Sequence, residues 1–120
     1  MLGHERLRAW ELGHELTLAV YRLMSAWPVT ERYGLTAQIR RAAAAVPTNL
    51  AEGAARRGAR EFRRFADIAL SSTAEVAYLV LLARDLGFVA EPDYARIDDL
   101  RKRTGGLTWR LIRALASSRP

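Results

Sequence analysis

Arginine side chains are concentrated in one segment of this chain, residues 38–65. The segment holds seven arginines and two glutamates, so its formal charge is 7 − 2 = +5, against +6 for the whole chain. One guanidinium group can donate hydrogen bonds to two oxygens of the same phosphate. A dense group of arginines is therefore typical of proteins that bind a polyanion. A GC-rich genome also produces many arginines, and composition alone does not separate the two explanations. The candidate nucleic-acid contacts are the five that cluster at a predicted turn: Arg56, Arg57, Arg60, Arg63 and Arg64.

One motif has the spacing of a metal site. Glu11 and His14 form a Glu-x-x-His pair, as in di-iron helical bundles, but such a site needs a second pair and two further carboxylates. The only other histidine, His4, has no glutamate three residues before it. We therefore expect no metal.

Serine and carboxylate side chains follow one another along the predicted third helix. Ser71 and Ser72 lie near Asp67 and Glu75, but a serine nucleophile needs a base within hydrogen-bond reach, and no suitable histidine is present. The chain also lacks a glycine-rich phosphate loop and a zinc motif. We expect no cofactor and no enzymatic activity.

Length and composition indicate one globular domain over residues 1–120. Half of the residues are apolar and 27% are charged, and there is no cysteine, which suits a reducing compartment. The longest apolar run, 76–83, is far shorter than a bilayer span. Charges throughout residues 1–20 argue against a signal peptide. These features predict a cytoplasmic protein that makes no membrane contact.

Four segments have the apolar spacing of amphipathic helices, and none has the alternation of a strand. The predicted helices are residues 5–26, residues 35–57, a third that follows Gly58 and runs to 86, and residues 92–116. Pro28 ends the first, a turn at Thr30, Glu31 and Tyr33 follows it, and Gly87 ends the third. Short connections make successive helices antiparallel neighbours, so the predicted fold is all-α: an antiparallel up-down-up-down four-helix bundle.

Proline and glycine residues interrupt these patterns at four places. Pro47 predicts a kink in the second helix, because the apolar stripe keeps its phase across it; the alternative is that a new helix starts there. Gly58 can stop the second helix or cap the third, with Glu61 as the carboxylate half of a capping box. Gly105 and Gly106 cost about 1 kcal/mol each within the fourth helix, which indicates close packing or a local kink.

A second apolar stripe lies nearly opposite the main stripe of the third helix. A helix that is apolar on two sides is normally covered on both, and a four-helix bundle covers one. The stripe therefore predicts a homo-oligomer, although deeper burial by the chain's own helices is an alternative. The predicted contact residues are Leu70, Ala74, Ala77 and Leu81.

A polar stripe runs along the second helix, and its spacing allows ion pairs between Arg41, Glu52 and Glu75 of the third helix. We favour a partly buried network that fixes the register of the two helices, because buried polar groups must find partners. The alternative is a polar recognition groove. The predicted network consists of Gln38, Arg41, Asn49, Glu52 and Glu75.

Four blocks of the sequence carry a resemblance to a known family. They are Trp27-Pro28-x-x-Glu31-x-Tyr33-Gly34-Leu35-x-x-Gln38-Ile39-Arg40-Arg41-Ala42-Ala43, Val46-Pro47-x-Asn49-Leu50-Ala51-Glu52-Gly53, Glu61-Phe62, and Ala83-Arg84-Asp85-Leu86-Gly87. With these blocks the chain resembles the four-helix-bundle proteins encoded in intervening sequences of bacterial large-subunit ribosomal RNA genes. It is also similar to the accessory variability determinants of diversity-generating retroelements. This chain differs from the family at two positions. Ala45 stands where the family often has a serine, and Gly58 stands where a serine or threonine often caps the third helix.

The resemblance implies a bundle that assembles as a ring, typically a pentamer, with a basic surface suspected of contacting RNA or DNA. In the retroelement relatives it also implies a reverse-transcriptase partner. We therefore expect a non-enzymatic homopentameric bundle that binds nucleic acid. The alternative is a protein-interaction scaffold, or a reverse-transcriptase accessory subunit that does not itself bind nucleic acid. Most members of the family have no known activity.

Overall fold

The computed structural model describes residues 2–27 and 34–117, and within them every regular element is an α-helix. The four helices are α1 (Leu2–Met24), α2 (Leu35–Ala55), α3 (Ala59–Asp85) and α4 (Glu91–Ala116). Each helix packs against two others: α1 on α2 and α4, and α3 on α2 and α4. The predicted all-α four-helix bundle is confirmed, with helix ends within three residues of those expected.

Two apolar clusters fill the core and divide it along its length. One joins the later part of α1 with the early part of α2, the later part of α3 and Ile97 of α4. The other joins Ala9 of α1 with Val46, Phe62 and Leu111 of the remaining half-helices. This is the distribution that antiparallel neighbours produce, so it favours the up-down-up-down order that short connections predict.

Glycines with positive φ mark both ends of α3. Gly87, at φ +85°, follows the helix, and the Phe88 and Gly87 amides donate to the carbonyls of Ala83 and Arg84, both at 2.9 Å. These two bonds form the Schellman motif that a left-handed glycine permits. Gly58, at φ +87°, precedes α3 and makes no side-chain cap. Pro28 and the turn at 30, 31 and 33 lie outside the described residues.

Pro47 lies within α2, which continues through it as one helix, so the alternative of a second helix start is excluded. The kink itself stays a prediction. Proline has no amide proton, so the carbonyl four residues earlier, that of Ala43, has no amide partner within the helix. The Thr17 hydroxyl of α1 lies 3.0 Å from that carbonyl oxygen and 2.8 Å from the Gly13 carbonyl oxygen. Thr17 therefore satisfies a buried acceptor that Pro47 leaves open.

Glycines allow α2 to approach its two neighbours closely. A Cβ at Gly13 of α1 would lie 3.1 Å from Val46 Cγ1, so α1 passes directly over the Pro47 turn. A Cβ at Gly53 would lie 2.8 Å from the Cβ of Phe65 on α3. Both glycines are buried, and at each the small residue is required by a contact between two helices rather than by a turn.

Of the described helices, α3 alone is long and apolar enough to pass a hydropathy test for a membrane span. A core helix of a soluble bundle passes the same test. One side of α3 is buried against its neighbours from Phe62 to Ala83. Arginines and carboxylates also interrupt its surface, among them Arg63, Asp67 and Glu75. The arrangement is consistent with a soluble protein.

Candidate nucleic-acid interface

Five arginines surround the turn from α2 to α3. Arg56 caps the end of α2, Arg57 follows it, and the other three lie on the first turns of α3: Arg60, Arg63 and Arg64. All five residues are exposed. Only residues 56–58 join the two helices, so the five side chains share one end of the bundle. That end carries a dense positive surface.

Two of the five arginines are held against the bundle. The guanidinium carbons of Arg56 and Arg64 lie 4.9 and 4.7 Å from the centre of the Phe65 ring. Arg56 also pairs with Glu52 at 3.3 Å, and Arg64 with Glu61 at 3.3 Å. The ring therefore positions two cations that neighbouring carboxylates partly neutralise.

The arginines at this turn lower the pKa of the Glu61 carboxyl. A hydrogen bond from Arg64 lowers that pKa below its ordinary value of 4.5, and the charge of Arg64 adds to the effect. The charges of Arg56 and Arg60 lower it further, although the carboxyl lies at the surface. Arginines from both sides of the turn therefore stabilise the negative charge of one carboxylate. They would stabilise the negative charge of a bound phosphate at this surface in the same way. Glu61 pairs with Arg64, and no side-chain cap forms at the start of α3.

The other three arginines of the turn, Arg57, Arg60 and Arg63, make no ion pair or hydrogen bond with any described residue. All three are exposed, so their guanidinium donors face solvent. The cations in the middle of α4 differ, because carboxylates of the same helix pair with them: Asp98 with Arg101 and Lys102, and Asp99 with Arg103. Three cations with no partner in the described part of the chain therefore lie at the turn.

The Asp98 carboxyl shows how strongly the α4 cations are engaged. Burial raises its pKa, but hydrogen bonds from Arg101 and Lys102 outweigh burial and lower the pKa overall. Because a lowered pKa means that the charged form is favoured, the two cations and the carboxylate stabilise one another. These cations are therefore less available to an external phosphate than those of the turn.

The predicted polar network between α2 and α3 has no supporting contact in the described chain. Gln38, Arg41, Glu52 and Glu75 are exposed, whereas Asn49 is half-buried. The Asn49 amide donates to the Ala45 carbonyl at 2.8 Å, and Glu52 pairs with Arg56, so both bonds stay within the α2 segment. Among the described residues no ion pair joins α2 to α3. The alternative of a polar surface open to a ligand or partner remains.

The two residues of the Glu-x-x-His motif of α1 each contact a different side chain. The His14 ring stacks on Trp10, with centroids 5.2 Å apart, and Glu11 pairs with Arg8 at 3.7 Å. No group of three or more candidate ligands occurs in the described part of the chain. The residues of this motif therefore do not converge on one point.

Apolar side chains reach solvent on two separate faces of the bundle. On α3, the predicted contact residues Leu70, Ala77 and Leu81 are half-buried and Ala74 is exposed, and beside them Tyr78 is 61% exposed. We call the second face the α1–α2 face. It consists of two adjoining shallow depressions between the two helices, which share Trp10 and Ala51. Their lining includes Leu7, Ala44 and Pro47, and also the polar residues Arg6, His14, Thr17, Thr48 and Glu52.

Comparison with other proteins places this arrangement in a family. Residues 5–108 match the sequence profile of the family described as 23S rRNA-intervening sequence protein. The chain belongs to this family. The match includes all of α2 and α3 and most of α1 and α4, so the intervening-sequence family's pattern extends over all four helices. The resemblance to the ribosomal RNA intervening-sequence proteins is confirmed.

A solved structure has the same fold as this intervening-sequence family member. It is the crystal structure of a protein of unknown function from the S23 ribosomal protein family of Bacteroides thetaiotaomicron VPI-5482. It superposes with a TM-score of 0.84 at 16% identity, and the alignment covers 91% of this chain and 98% of the other. At that identity the likeness establishes the four-helix fold alone. No curated protein matches the sequence.

Proposed function

We propose that this protein is a non-enzymatic, cytoplasmic homo-oligomer, a pentameric ring, that binds RNA or DNA through the arginines of the α2–α3 turn. The observation that carries the proposal is the set of three exposed arginines that have no carboxylate partner among the described residues, Arg57, Arg60 and Arg63. Phosphate contacts by such residues supply affinity with little sequence preference. Arg56 and Arg64, held on Phe65, supply two further cations.

The two exposed apolar faces support a ring. A two-fold dimer joins one patch to the same patch of its partner and leaves the other face open, whereas a head-to-tail contact joins two different faces. Here the α3 stripe of one copy would meet the α1–α2 face of the next. A head-to-tail contact that closes forms a ring, in which each copy repeats the arginine turn. The number five comes from the resemblance to the family.

Light scattering tests the assembly. We expect a particle of about five times the 13.4 kDa chain mass at micromolar concentration. Ala74→Glu, which places a charge within the exposed α3 stripe, should dissociate it, because a charge buried in an interface without a partner is costly. Ala95→Glu is the matched control, since Ala95 is an exposed alanine of α4 outside the stripe. A 13.4 kDa particle for the unchanged protein would contradict the ring.

Titration with duplex DNA and with RNA of mixed sequence across a salt series tests nucleic-acid binding. The test variant combines Arg57→Gln, Arg60→Gln and Arg63→Gln. Its logarithmic salt slope for duplex DNA should be shallower by about 0.9 for each phosphate that the three arginines neutralise in the unchanged protein. Its affinity at low salt should be lower as well.

The control for that titration removes the same charge elsewhere, with Arg96→Gln, Lys102→Gln and Arg103→Gln on α4. These residues are exposed, and two of them are already paired with aspartates. We expect binding close to that of the unchanged protein. An equal decrease in both variants would indicate a general charge effect and not a site at the turn.

The alternative function is a protein-interaction scaffold or a reverse-transcriptase accessory subunit without nucleic-acid binding of its own. The exposed α1–α2 face favours it, because Leu7 is 55% exposed and Trp10 lies beside it. The absence of any binding to RNA or DNA at low salt would reject the nucleic-acid proposal and leave this alternative.

A further inference from the structure

Trp109 is a large aromatic side chain on the surface of α4, outside both core clusters. It is 50% exposed, and the guanidinium carbon of Arg113 lies 4.9 Å from its ring centre. The preceding turn of α4 contains Gly105 and Gly106, which have no side chains to cover the ring. A Cβ at Gly106 would meet no atom within 4 Å. The surface beside the ring is therefore open.

The position of Trp109 along the bundle brings it toward the arginine turn. A Cβ at Gly105 would lie 3.5 Å from Thr73 Oγ1, so this flank of α4 adjoins α3. Further along α4, Leu111 shares a core cluster with Phe62 of α3. The last turns of α4 therefore lie beside the first turns of α3, which carry Arg63.

We propose that Trp109, with Arg113 beside it, is a stacking platform for an unpaired nucleobase, so that the protein binds single-stranded nucleic acid in preference to a duplex. The inference rests on the proposed nucleic-acid function and adds the class of strand. Every base has an apolar π-face that stacks on an aromatic ring, and the arginines of the turn would hold the phosphates on either side of the stacked base. Paired bases in a duplex do not offer that face to the ring.

Fluorescence anisotropy with three labelled probes of equal length tests the platform: a single strand, the same strand with abasic sites, and a duplex. Trp109→Ala should weaken binding of the single strand by about 5- to 150-fold. Its affinity for the abasic strand and the duplex should stay within about twofold of the unchanged protein, because neither offers a base to stack. Trp109→Phe keeps a ring and should retain most of the affinity for the single strand.

Four results would overturn the platform, and they separate its failure from that of the proposed function. If Trp109→Ala binds the single strand as the unchanged protein does while the triple arginine variant does not, the platform is wrong and the arginine site stands. An equal decrease in affinity for all three probes also rejects stacking. Dissociation of the assembly by Trp109→Ala, seen in light scattering, would make the residue a subunit contact. No binding of any probe by the unchanged protein would reject both proposals.

Discussion

Replacing Gly53 with alanine is expected to lower the free energy of unfolding by about 3 kcal/mol, at the upper end of what overpacking costs. A Cβ at this position of α2 would lie 2.8 Å from Phe65 Cβ, 2.9 Å from Phe62 Cδ1 and 3.2 Å from the Phe62 carbonyl oxygen. The first and last of these atoms are fixed by the α3 backbone. The two helices must therefore move apart around two buried phenylalanines. Urea denaturation measures the destabilisation.

Gly106→Ala is the matched control for Gly53→Ala. It adds the same methyl group to the interior of a helix, but the new Cβ meets nothing within 4 Å. Alanine is favoured over glycine in a helix, so this variant should be more stable by about 1 kcal/mol. The two variants should change the free energy of unfolding in opposite directions. The difference separates the effect of the close contact between Gly53 and α3 from the effect of helix propensity. A stability of Gly53→Ala equal to or above that of the unchanged protein would contradict the close approach.

Replacing Thr17 with valine should cost about 1–3 kcal/mol, the range for leaving a buried acceptor without a partner. The Ala43 carbonyl has no amide to accept from, because residue 47 is proline, and Ala43 is fully buried. The Thr17 hydroxyl also lies near the Gly13 carbonyl, but that carbonyl has the Thr17 amide as its helical partner. The expected destabilisation therefore arises at Ala43. Thermal and urea unfolding measure it.

Two variants separate this role from the general effect of removing a hydroxyl. Thr108→Val removes a buried hydroxyl that donates to the Thr104 carbonyl at 2.8 Å, an acceptor already paired within α4. It should cost less than Thr17→Val. Pro47→Ala restores an amide for the Ala43 carbonyl, so the cost of Thr17→Val should shrink in that background. A cost that is the same with and without Pro47 would contradict the assignment.

The positions of the helices can be predicted from the sequence because apolar spacing and the glycine and proline residues that mark helix ends act within one segment. Gly87 ends α3, and the apolar spacing places every helix end within three residues of its observed position. The apolar stripe of α2 keeps its phase across Pro47, which predicts an interruption that does not stop the helix, and α2 is continuous there. Each of these features depends on neighbouring residues of one segment, for which spacing and backbone propensity are sufficient.

The partner of the Ala43 carbonyl cannot be found in the same way. Thr17 and Ala43 are 26 residues apart, and their contact depends on the register of α1 against α2. The register is set by packing, including the close passage of Gly13 over Val46, and no periodicity within one helix encodes it. The polar stripe of α2 shows the opposite case, in which a local pair forms and the expected interhelix bridge has no described counterpart. Its spacing predicts bridges to α3, whereas Glu52 pairs with Arg56 four residues ahead on its own segment.

The arginine turn combines both kinds of information. The sequence by itself determined the family, the four helices, and the concentration of charge in residues 38–65, because composition and spacing are properties of the chain. The pairs of Arg56 with Glu52 and of Arg64 with Glu61 have local helical spacing. Only the tertiary structure decided that Arg56 also lies over the Phe65 ring across the turn, and that Arg57, Arg60 and Arg63 have no described partner. Charge follows from residue type alone, whereas its availability to a ligand depends on which groups packing brings within reach.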